Sequence, residues 1–230
     1  MSLSRLMRSL GVSFLLVGIL LGQPAEVRAA PDENINLRYS LPGRNAMLPG
    51  FADFTASLRH NGLHVPAGVY VPGVLALPIT QQPRDNPAFV STQDGVVTQF
   101  SLANSFGSVG LLAHNTLSGR LFFDLNLHQI LYLAFADGTV RYYMITSVLR
   151  YQALSPTSPY SNFVNLSRPD ERLTSSELFE RVFTTKNSLV FQTCIAKDGE
   201  PSWGRIFVIA RQIDPQAAQF GLDPLGAWLN

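Results

Sequence analysis

Short apolar runs separated by turn-forming residues are the feature that most constrains the fold of this 230-residue chain. The runs are Val69–Val71, Val96–Phe100, Val109–Ala113, Ile130–Ala136, Tyr142–Val148, Leu189–Thr193 and Ile206–Ala210. Clusters of Gly, Pro, Asn and Asp lie between them. Several short strands with such punctuation predict an all-β barrel or sandwich.

The clearest local prediction is a β-hairpin around Asp137-Gly138. The run Ile130–Ala136 precedes this dipeptide, and Thr139–Val148 follows it. Asp-Gly tolerates the positive φ values that a type I′ turn requires at its two central positions. We therefore expect two antiparallel strands joined by a type I′ turn.

Two short helices are expected beside the strands. Phe51, Phe54 and Leu58 recur at helical spacing, and Gly62 follows as a stop signal. Further along, Thr174-Ser175-Ser176-Glu177 forms a capping box, in which the Thr and Glu side chains satisfy early backbone N–H groups of a helix. Apolar residues at helical spacing follow this box, so we expect a helix of about two turns there.

The second helix lies in a long connection between Leu154 and Leu189. This segment opens with Ser155, Pro156, Ser158 and Pro159, which are residues typical of loops. A connection of this length inside a compact domain is usually functional. We therefore expect this segment to take part in whatever the domain does.

The first 29 residues resemble an export signal rather than part of the fold. Arg5 and Arg8 precede the uncharged apolar run Leu10–Leu21, and small residues lead up to a preferred cleavage site after Ala29. The run is shorter than the roughly 20 residues that a membrane-spanning helix needs, although an uncleaved anchor that associates the chain with a membrane is the alternative. We expect residues 30–50 to be a linker, residues 51–230 to be the domain, and the location to be the cell envelope, periplasm or cell surface.

Charge and composition exclude several functions. The formal net charge is +1, from 17 basic and 16 acidic residues spread along the chain, so no field attracts nucleic acid. A metal site would need several ligands at close spacing, whereas the histidines are scattered and there is a single cysteine. No glycine-rich phosphate loop is present. We expect neither a metal nor an organic cofactor.

The single cysteine, Cys194, has no intramolecular partner in the sequence. In an oxidising compartment a lone thiol is exposed to oxidation, so its presence suggests that it is used. The alternative is that Cys194 is a small buried apolar side chain, as cysteines outside disulfides usually are.

Three reactive side chains fall at the ends of predicted strands. Cys194 and His114 each follow a strand, and Arg205 opens the strand that comes after Cys194, 11 residues later. Acyl transfer needs an activated thiol, a proton donor for the leaving amine, and a positive or hydrogen-bonding group for the oxyanion. Cys, His and Arg supply these three parts. Each also has an ordinary interpretation: a core thiol, a strand-end polar group, and a surface residue with a buried stem.

The order of His114, Thr193-Cys194 and Arg205 on strand ends resembles the sortase family of cysteine transpeptidases. Segments between the His and the Cys are similar as well, namely Phe122-Phe123-Asp124-Leu125 and Tyr142-Tyr143-Met144-Ile145. The resemblance covers roughly residues 65 to 210. It implies a closed or nearly closed β-barrel of about seven to eight strands with one or two short helices.

The resemblance also implies a reaction. Cys194 would attack a backbone carbonyl of a peptide or protein with a sorting-type motif, His114 would protonate the departing amine, and Arg205 would stabilise the oxyanion. A thioacyl enzyme results, and an amine or water then releases the product. No cofactor is implied.

Four further residues are candidate substrate contacts. Thr193 lies beside the nucleophile, and Tyr160, Phe163 and Phe179 lie in the long connection. Because this connection leads into the strand that ends at Cys194, we expect it to form a wall of the peptide groove. Specificity would then reside in the connection, while chemistry resides on the strand ends. The alternative is that these aromatic residues are ordinary core residues.

Two other classes of protein remain alternatives. L,D-transpeptidases also use exported Cys and His residues on a β scaffold, but their nucleophile follows Ser-His-Gly, whereas Phe191-Gln192-Thr193 precedes Cys194 here. A non-catalytic β-barrel that binds peptides would carry Cys194 incidentally. In such a module the thiol should resist alkylation without denaturant.

Overall fold

The structure is a computed structural model that describes residues 48–59 and 62–216. The strands are β1 (Pro66–Val71), β2 (Leu75–Gln81), β3 (Val97–Phe100), β4 (Val109–Leu112), β5 (Ile130–Phe135), β6 (Val140–Ala153), β7 (Phe163–Asn165), β8 (Arg168–Leu173), β9 (Ser188–Lys197) and β10 (Glu200–Ile213). The α-helices of this part of the chain are α1 (Phe51–Ser57), α2 (Ser101–Asn104) and α3 (Ser175–Phe183), and a 3₁₀ helix covers Ser118–Asp124.

Eight strands close into a barrel in the order β10-β9-β4-β3-β2-β1-β5-β6, and β6 pairs with β10 to complete the ring. The pairs β2–β3 and β4–β9 are parallel, and the other pairs are antiparallel. β7 and β8 extend the sheet beyond β6. The predicted all-β fold class, a closed β-barrel with a few short helices, is therefore confirmed.

Strand β10 is paired along both edges, which fixes its register firmly. On one side it pairs with β6 from Gly204 opposite Gln152 to Ile213 opposite Tyr142, with one register shift after Ile209. On the other side it pairs with β9. Because every ladder hydrogen bond of a central strand has a partner, side chains on β9 and β10 are held at defined positions relative to one another.

The interior of the barrel is apolar because alternate residues of each strand face inward. Leu189 and Phe191 of β9 and Ile206 and Val208 of β10 lie in this core, and all four are fully buried or nearly so. Phe122 of the 3₁₀ helix enters the same core and packs on Phe191 with ring centroids 5.0 Å apart. These contacts anchor the inner side of the strands that carry the candidate site.

A second core lies on the outer face of β9 and β10, under helix α3. Val190, Phe207 and Ile209 point outward from these strands and pack with the apolar face of α3. The helix begins at the predicted capping box, in which Thr174 accepts from the Glu177 backbone N–H and Glu177 accepts from the Thr174 backbone N–H. The predicted helix is therefore confirmed, and it covers part of the outer face on which the candidate site lies.

Helix α1 packs on the opposite wall of the barrel through Phe54 and Leu58. A Cβ on Gly68 of β1 would collide with the side chains of Leu58 and Phe54. Glycine at this position therefore permits close approach of the predicted N-terminal helix.

Strands β2, β7 and β8 were not predicted from the sequence, for different physical reasons. Pro78 interrupts β2 and lacks a backbone donor, which argues against a strand in most contexts. β7 has three residues, and four of the six residues of β8 are charged. Strands of these kinds give no clear apolar signal in a sequence.

The hairpin at Asp137-Gly138 is confirmed, but its predicted turn type is wrong. Only Gly138 has a positive φ, of 89°, and Phe135 and Thr139 close a three-residue loop. Positive φ at both central residues occurs instead at Asp198-Gly199, where φ is 52° and 82° in the turn between β9 and β10. This type of turn joins the two strands that carry Cys194 and Arg205.

The predicted export signal, its cleavage site after Ala29 and most of the predicted linker lie outside the described residues. Within residues 48–59 and 62–216, no helix has the length and apolar character needed to cross a membrane.

Candidate active site

Cys194 and Arg205 lie directly opposite each other on paired strands. Cys194 is in β9 and Arg205 is in β10, and the antiparallel register makes them partners. Phe191 of β9 faces the barrel interior, so Cys194, three positions later, faces outward. Side chains of directly opposed residues lie about 5 Å apart at their Cβ atoms and on the same face. The two predicted groups are thus neighbours.

Arg205 is buried completely, with 0% of its surface exposed. Its Nη1 donates to the carbonyl oxygens of Ser202 and Gly204, each at 2.8 Å, and its Nη2 donates to the carbonyl oxygen of Pro156 at 3.2 Å. A buried charge is tolerated only when hydrogen bonds replace its lost hydration. The carbonyls therefore fix the plane of the guanidinium beside Cys194.

His114 follows β4, the strand that pairs with β9, and so lies near Cys194. β4 runs parallel to β9 with Leu112 opposite Gln192. The pairing continues past the end of β4, because the Ala113 backbone N–H donates to the Gln192 carbonyl at 3.3 Å. His114 then lies beside the segment of β9 that contains Cys194.

Thr193 ties β9 to the residue before His114. Its hydroxyl donates to the Ala113 carbonyl at 2.8 Å, and Thr193 is buried. On β9, Thr193 alternates with the outward-facing Cys194, so its side chain points to the barrel interior. Thr193 therefore positions the segment that contains His114, through the Ala113 carbonyl.

Gly119 allows the 3₁₀ helix to pack against this arrangement. A Cβ at Gly119 would collide with the Thr193 hydroxyl and would approach the His114 carbonyl to 2.7 Å. The backbone N–H groups of Leu117 and Gly119 both donate to that carbonyl, at 3.0 Å. The turn after His114 is thus closed tightly, which limits the freedom of the imidazole.

Cys194, His114 and Thr193 line one small cleft of about 10 Å³, together with Val90 and Gln192. Cys194 is 5% exposed and His114 is half-buried. Burial lowers the pKa of His114 below its ordinary value of 6.5, and a hydrogen bond to the Val90 backbone opposes this shift. The imidazole is consequently neutral at pH 7 and can accept a proton.

Asn115 is a residue of this region that sequence analysis did not identify. Its Nδ2 donates to the Pro201 carbonyl at 3.0 Å, which connects the segment after His114 to the start of β10. The sequence signal was its position beside His114. Its partner is 86 residues away, so the link itself could not be read from the sequence.

The long connection reaches the site through Pro156, whose carbonyl accepts from Arg205. Ser161 stabilises the loop between β6 and β7, because its Oγ accepts from the Ser155 backbone N–H and donates to the Asn162 carbonyl. Tyr160 projects from this loop and is 64% exposed.

Phe163 and Phe179, the other two aromatic candidates, lie in the second core and are buried. Phe179 packs edge-on against Phe100 and Phe106, with ring centroids 6.1 and 5.4 Å away. Phe163 and Phe179 are therefore core residues, as in the alternative interpretation of these aromatic side chains.

The described residues offer no place for a metal ion. Within this part of the chain, no three or more His, Cys, Asp or Glu side chains form a group that could hold one. The cleft presents a thiol and an imidazole, and the guanidinium of Arg205 lies on the paired strand opposite the thiol.

Comparisons with known proteins give similarity at the level of solved structures. No model of a known protein family matches the chain, and no curated protein matches it either. Sortase A from Corynebacterium diphtheriae is 15% identical with a TM-score of 0.44, and the match covers 76% of this chain and 70% of that one. Sortase C-1 from Actinomyces oris is 13% identical with a TM-score of 0.45, and the match covers 73% and 83% of the two chains.

A third structure is sortase C from Clostridium perfringens with the C-terminal cell wall sorting motif. It is 17% identical with a TM-score of 0.41, and the match covers 67% of this chain and 73% of that one. The resemblance to sortases that the residues indicate is thus also found among solved structures. At these identities the similarity concerns the fold.

Proposed function

We propose that this protein is a sortase-like cysteine transpeptidase that cleaves a peptide through a thioacyl intermediate on Cys194. The observation that carries the proposal is the register of β9 and β10, which places Cys194 opposite the buried Arg205 on the face where His114 lines the same cleft. A nucleophile and a base in one cleft, with a fixed cation on the neighbouring strand, are the parts that acyl transfer requires.

In the first half of the reaction the Cys194 thiol gives its proton to the neutral His114 imidazole. The sulfur attacks a backbone carbonyl of the peptide, and a C–S bond forms. His114 then returns the proton to the departing amine as the C–N bond breaks. The products are a thioester on Cys194 and a free amine.

In the second half an amine, or water, attacks the thioester. His114 takes a proton from this nucleophile, and the Cys194 sulfur recovers a proton as the C–S bond breaks. The acyl group leaves as a new amide or as an acid. Both His114 and Cys194 return to their starting states, so no cofactor is consumed.

Arg205 stabilises the oxyanion in this proposal. Two of its hydrogen bonds go to Ser202 and Gly204, which are close to it in the chain, and they hold the guanidinium in place. Another goes to Pro156 in a different segment, at the longer distance of 3.2 Å. Exchange of the Pro156 carbonyl for the substrate oxygen would give Nη2 to the tetrahedral intermediate without moving the rest of the group.

The same exchange would open the cleft. A volume of about 10 Å³ has room for about one water molecule and not for a peptide. Release of Pro156 from Arg205 would let the loop between β6 and β7 move and form the groove wall, with Tyr160 on its exposed side. The substrate is then a peptide or protein segment with a sorting-type motif, handled by an exported enzyme at the cell envelope.

Turnover of an internally quenched peptide library, with and without an amine acceptor, tests this proposal. Cys194→Ala should abolish both cleavage and transfer, and His114→Gln should reduce both strongly. His128→Asn is the matched control, because His128 is exposed, lies outside the cleft and has a positive φ that Asn tolerates. It should keep wild-type turnover.

Full turnover by Cys194→Ala would overturn the proposal. If instead the wild-type protein binds peptides without cleaving any, and iodoacetamide modifies Cys194 only in denaturant, the chain is a non-catalytic peptide-binding barrel.

A further inference from the structure

A polar cavity of about 220 Å³ lies at the end of the barrel opposite the cleft. Its walls include His64, Gln81, Gln99, Asn104, Phe135 and Arg141. Val109, at the first position of β4, also lines it, whereas His114 follows the last position of that strand. The cavity is therefore separate from the site that contains Cys194.

Inward-facing positions form this cavity. Gln81 pairs with Gln99 between β2 and β3, at the point where both strands end. Val97 of β3 lies in the barrel core, so Gln99, two positions later, faces the same interior. An apolar interior would normally continue with apolar residues here. Polar side chains at these positions give the end of the barrel a lining that suits a polar molecule.

Gln99 provides a specific reason to expect a ligand. It is 4% exposed, and its Oε1 is buried without a hydrogen-bond partner among the described residues. Buried polar atoms nearly always have a partner. Rotation of the Gln99 amide toward the cavity would let this acceptor take a hydrogen bond from a bound molecule. The molecule that fills this cavity should therefore present an N–H or O–H group to Gln99.

Arg141 brings a guanidinium group to the lining of the same cavity. Its guanidinium carbon lies 4.8 Å from the centre of the Phe135 ring, and Nη2 lies 3.2 Å from Nε2 of His64. The ring of His64 stacks on Phe135 at 4.3 Å. The guanidinium thus contacts both rings, and its other donors suit a carboxylate, which accepts two parallel hydrogen bonds.

The charge at the cavity favours an anion. Among the described lining residues, Arg141 alone carries a permanent charge. The nearby carboxylate of Asp137 is bound to Nδ1 of His64 at 2.7 Å and to the hydroxyl and backbone N–H of Thr139. Asp137 is thus engaged beside the cavity rather than in its lining.

We propose that this cavity binds a small organic carboxylate that also carries an O–H or N–H donor, such as a hydroxy acid or an amino acid. The carboxylate pairs with Arg141, and the donor pairs with Oε1 of Gln99. A volume of about 220 Å³ lies below the roughly 300 Å³ at which ordinary ligand pockets begin, which limits the ligand to a small molecule.

NMR titration of the full chain with three matched probes tests the proposal. L-lactate has both groups, propionate lacks the hydroxyl, and lactamide lacks the charge. Lactate should shift resonances around the cavity and bind about tenfold more tightly than propionate, because one hydrogen bond to a buried acceptor distinguishes them. Lactamide should bind more weakly than either acid.

Variants assign the two contacts. Arg141→Gln should abolish lactate binding, and Gln99→Leu should remove the preference for lactate over propionate. Arg150→Gln, an exposed arginine of the same strand β6, is the matched control and should bind lactate as the wild type does. Cys194→Ala should also bind lactate normally, which separates this proposal from the proposed catalytic function.

Absence of shifts with lactate in the wild type, or equal affinity for lactate and propionate, would overturn the proposal. Equal loss of binding in Arg150→Gln and Arg141→Gln would do the same. The wild-type comparison of the three probes stands even if the Gln99→Leu chain fails to fold.

Discussion

The two ends of the barrel each hold an arginine, and the two arginines are held in opposite ways. Arg205 is completely buried and donates to backbone carbonyls, whereas Arg141 is partly exposed and lies against Phe135 and His64. Backbone carbonyls fix a buried guanidinium at one position. An aromatic ring orients the exposed one but leaves it accessible. The rigid placement of Arg205 suits a group that stabilises a transition state. The accessible placement of Arg141 suits a group that binds and releases a ligand.

The largest effect is expected from Arg205→Lys. A lysine has no planar fork and cannot donate to the Ser202 and Gly204 carbonyls while it also faces the oxyanion. We expect acyl transfer to fall on the order of 100- to 1,000-fold. Steady-state kcat/KM on a cleaved peptide measures it.

Arg211→Lys is the matched control for this prediction. Arg211 lies on the same strand and the same face as Arg205, six positions later, and is partly exposed. Its variant should keep wild-type kcat/KM. Equal activity of Arg205→Lys and Arg211→Lys would show that the buried guanidinium plays no part in the reaction.

A second pair of residues sharpens the contrast between buried and exposed groups. Phe179 is fully buried in the second core, and Tyr160 is exposed. Phe179→Ala should lower the free energy of unfolding by about 3–5 kcal/mol, because it leaves a cavity. Tyr160→Ala should leave stability within about 0.5 kcal/mol of the wild type. Urea denaturation measures both.

Tyr160→Ala should instead change which peptides are cleaved, while alkylation of Cys194 by a small electrophile stays unchanged. A peptide library compared between the two proteins checks this expectation. If Tyr160→Ala leaves the peptide preference intact, the loop between β6 and β7 is not the groove wall.

The smallest effect concerns the protonation of His114. Burial lowers its pKa below 6.5, so the folded state binds a proton less readily than the unfolded state. The resulting stabilisation is fully present above pH 6.5 and is lost as the pH falls through the lowered pKa. A ¹H NMR titration of the imidazole, assigned with His114→Gln, should give a value below 6.5. A value above 6.5 would contradict the neutral imidazole on which the proposed proton transfer depends.

Local signals in the sequence predicted several elements of the fold. The capping box at Thr174 and the hairpin at Asp137-Gly138 depend on a few adjacent residues, and both are present. The placement of His114 after a strand was also predictable, because turn residues mark the end of β4. Cys194 was predicted to follow its strand and Arg205 to open the next one, but β9 continues to Lys197 and β10 already begins at Glu200. Contacts between segments that are distant in the sequence could not be predicted from it. Arg205 was given a surface position as its ordinary interpretation, yet the Pro156 carbonyl, 49 residues away, helps to bury it.

The sequence also did not show which aromatic residues of the long connection are buried. Tyr160, Phe163 and Phe179 share one connection and a similar chemistry, but only Tyr160 is exposed. Whether an aromatic side chain faces a core or a groove depends on the strands packed behind it, here β9 and β10. The cavity at Gln99 was missed for the same reason, because it joins the ends of strands that are far apart in the sequence.

Mass spectrometry of a trapped acyl enzyme tests the central claim most directly. The chain is incubated with a peptide library in the absence of an amine acceptor, quenched in acid, and analysed as the intact protein and after digestion. Our account predicts an added mass equal to an acyl fragment of a library peptide, located on Cys194 and absent from Cys194→Ala. Cleavage of peptides with the adduct on another residue, or with no difference between the two proteins, would contradict it.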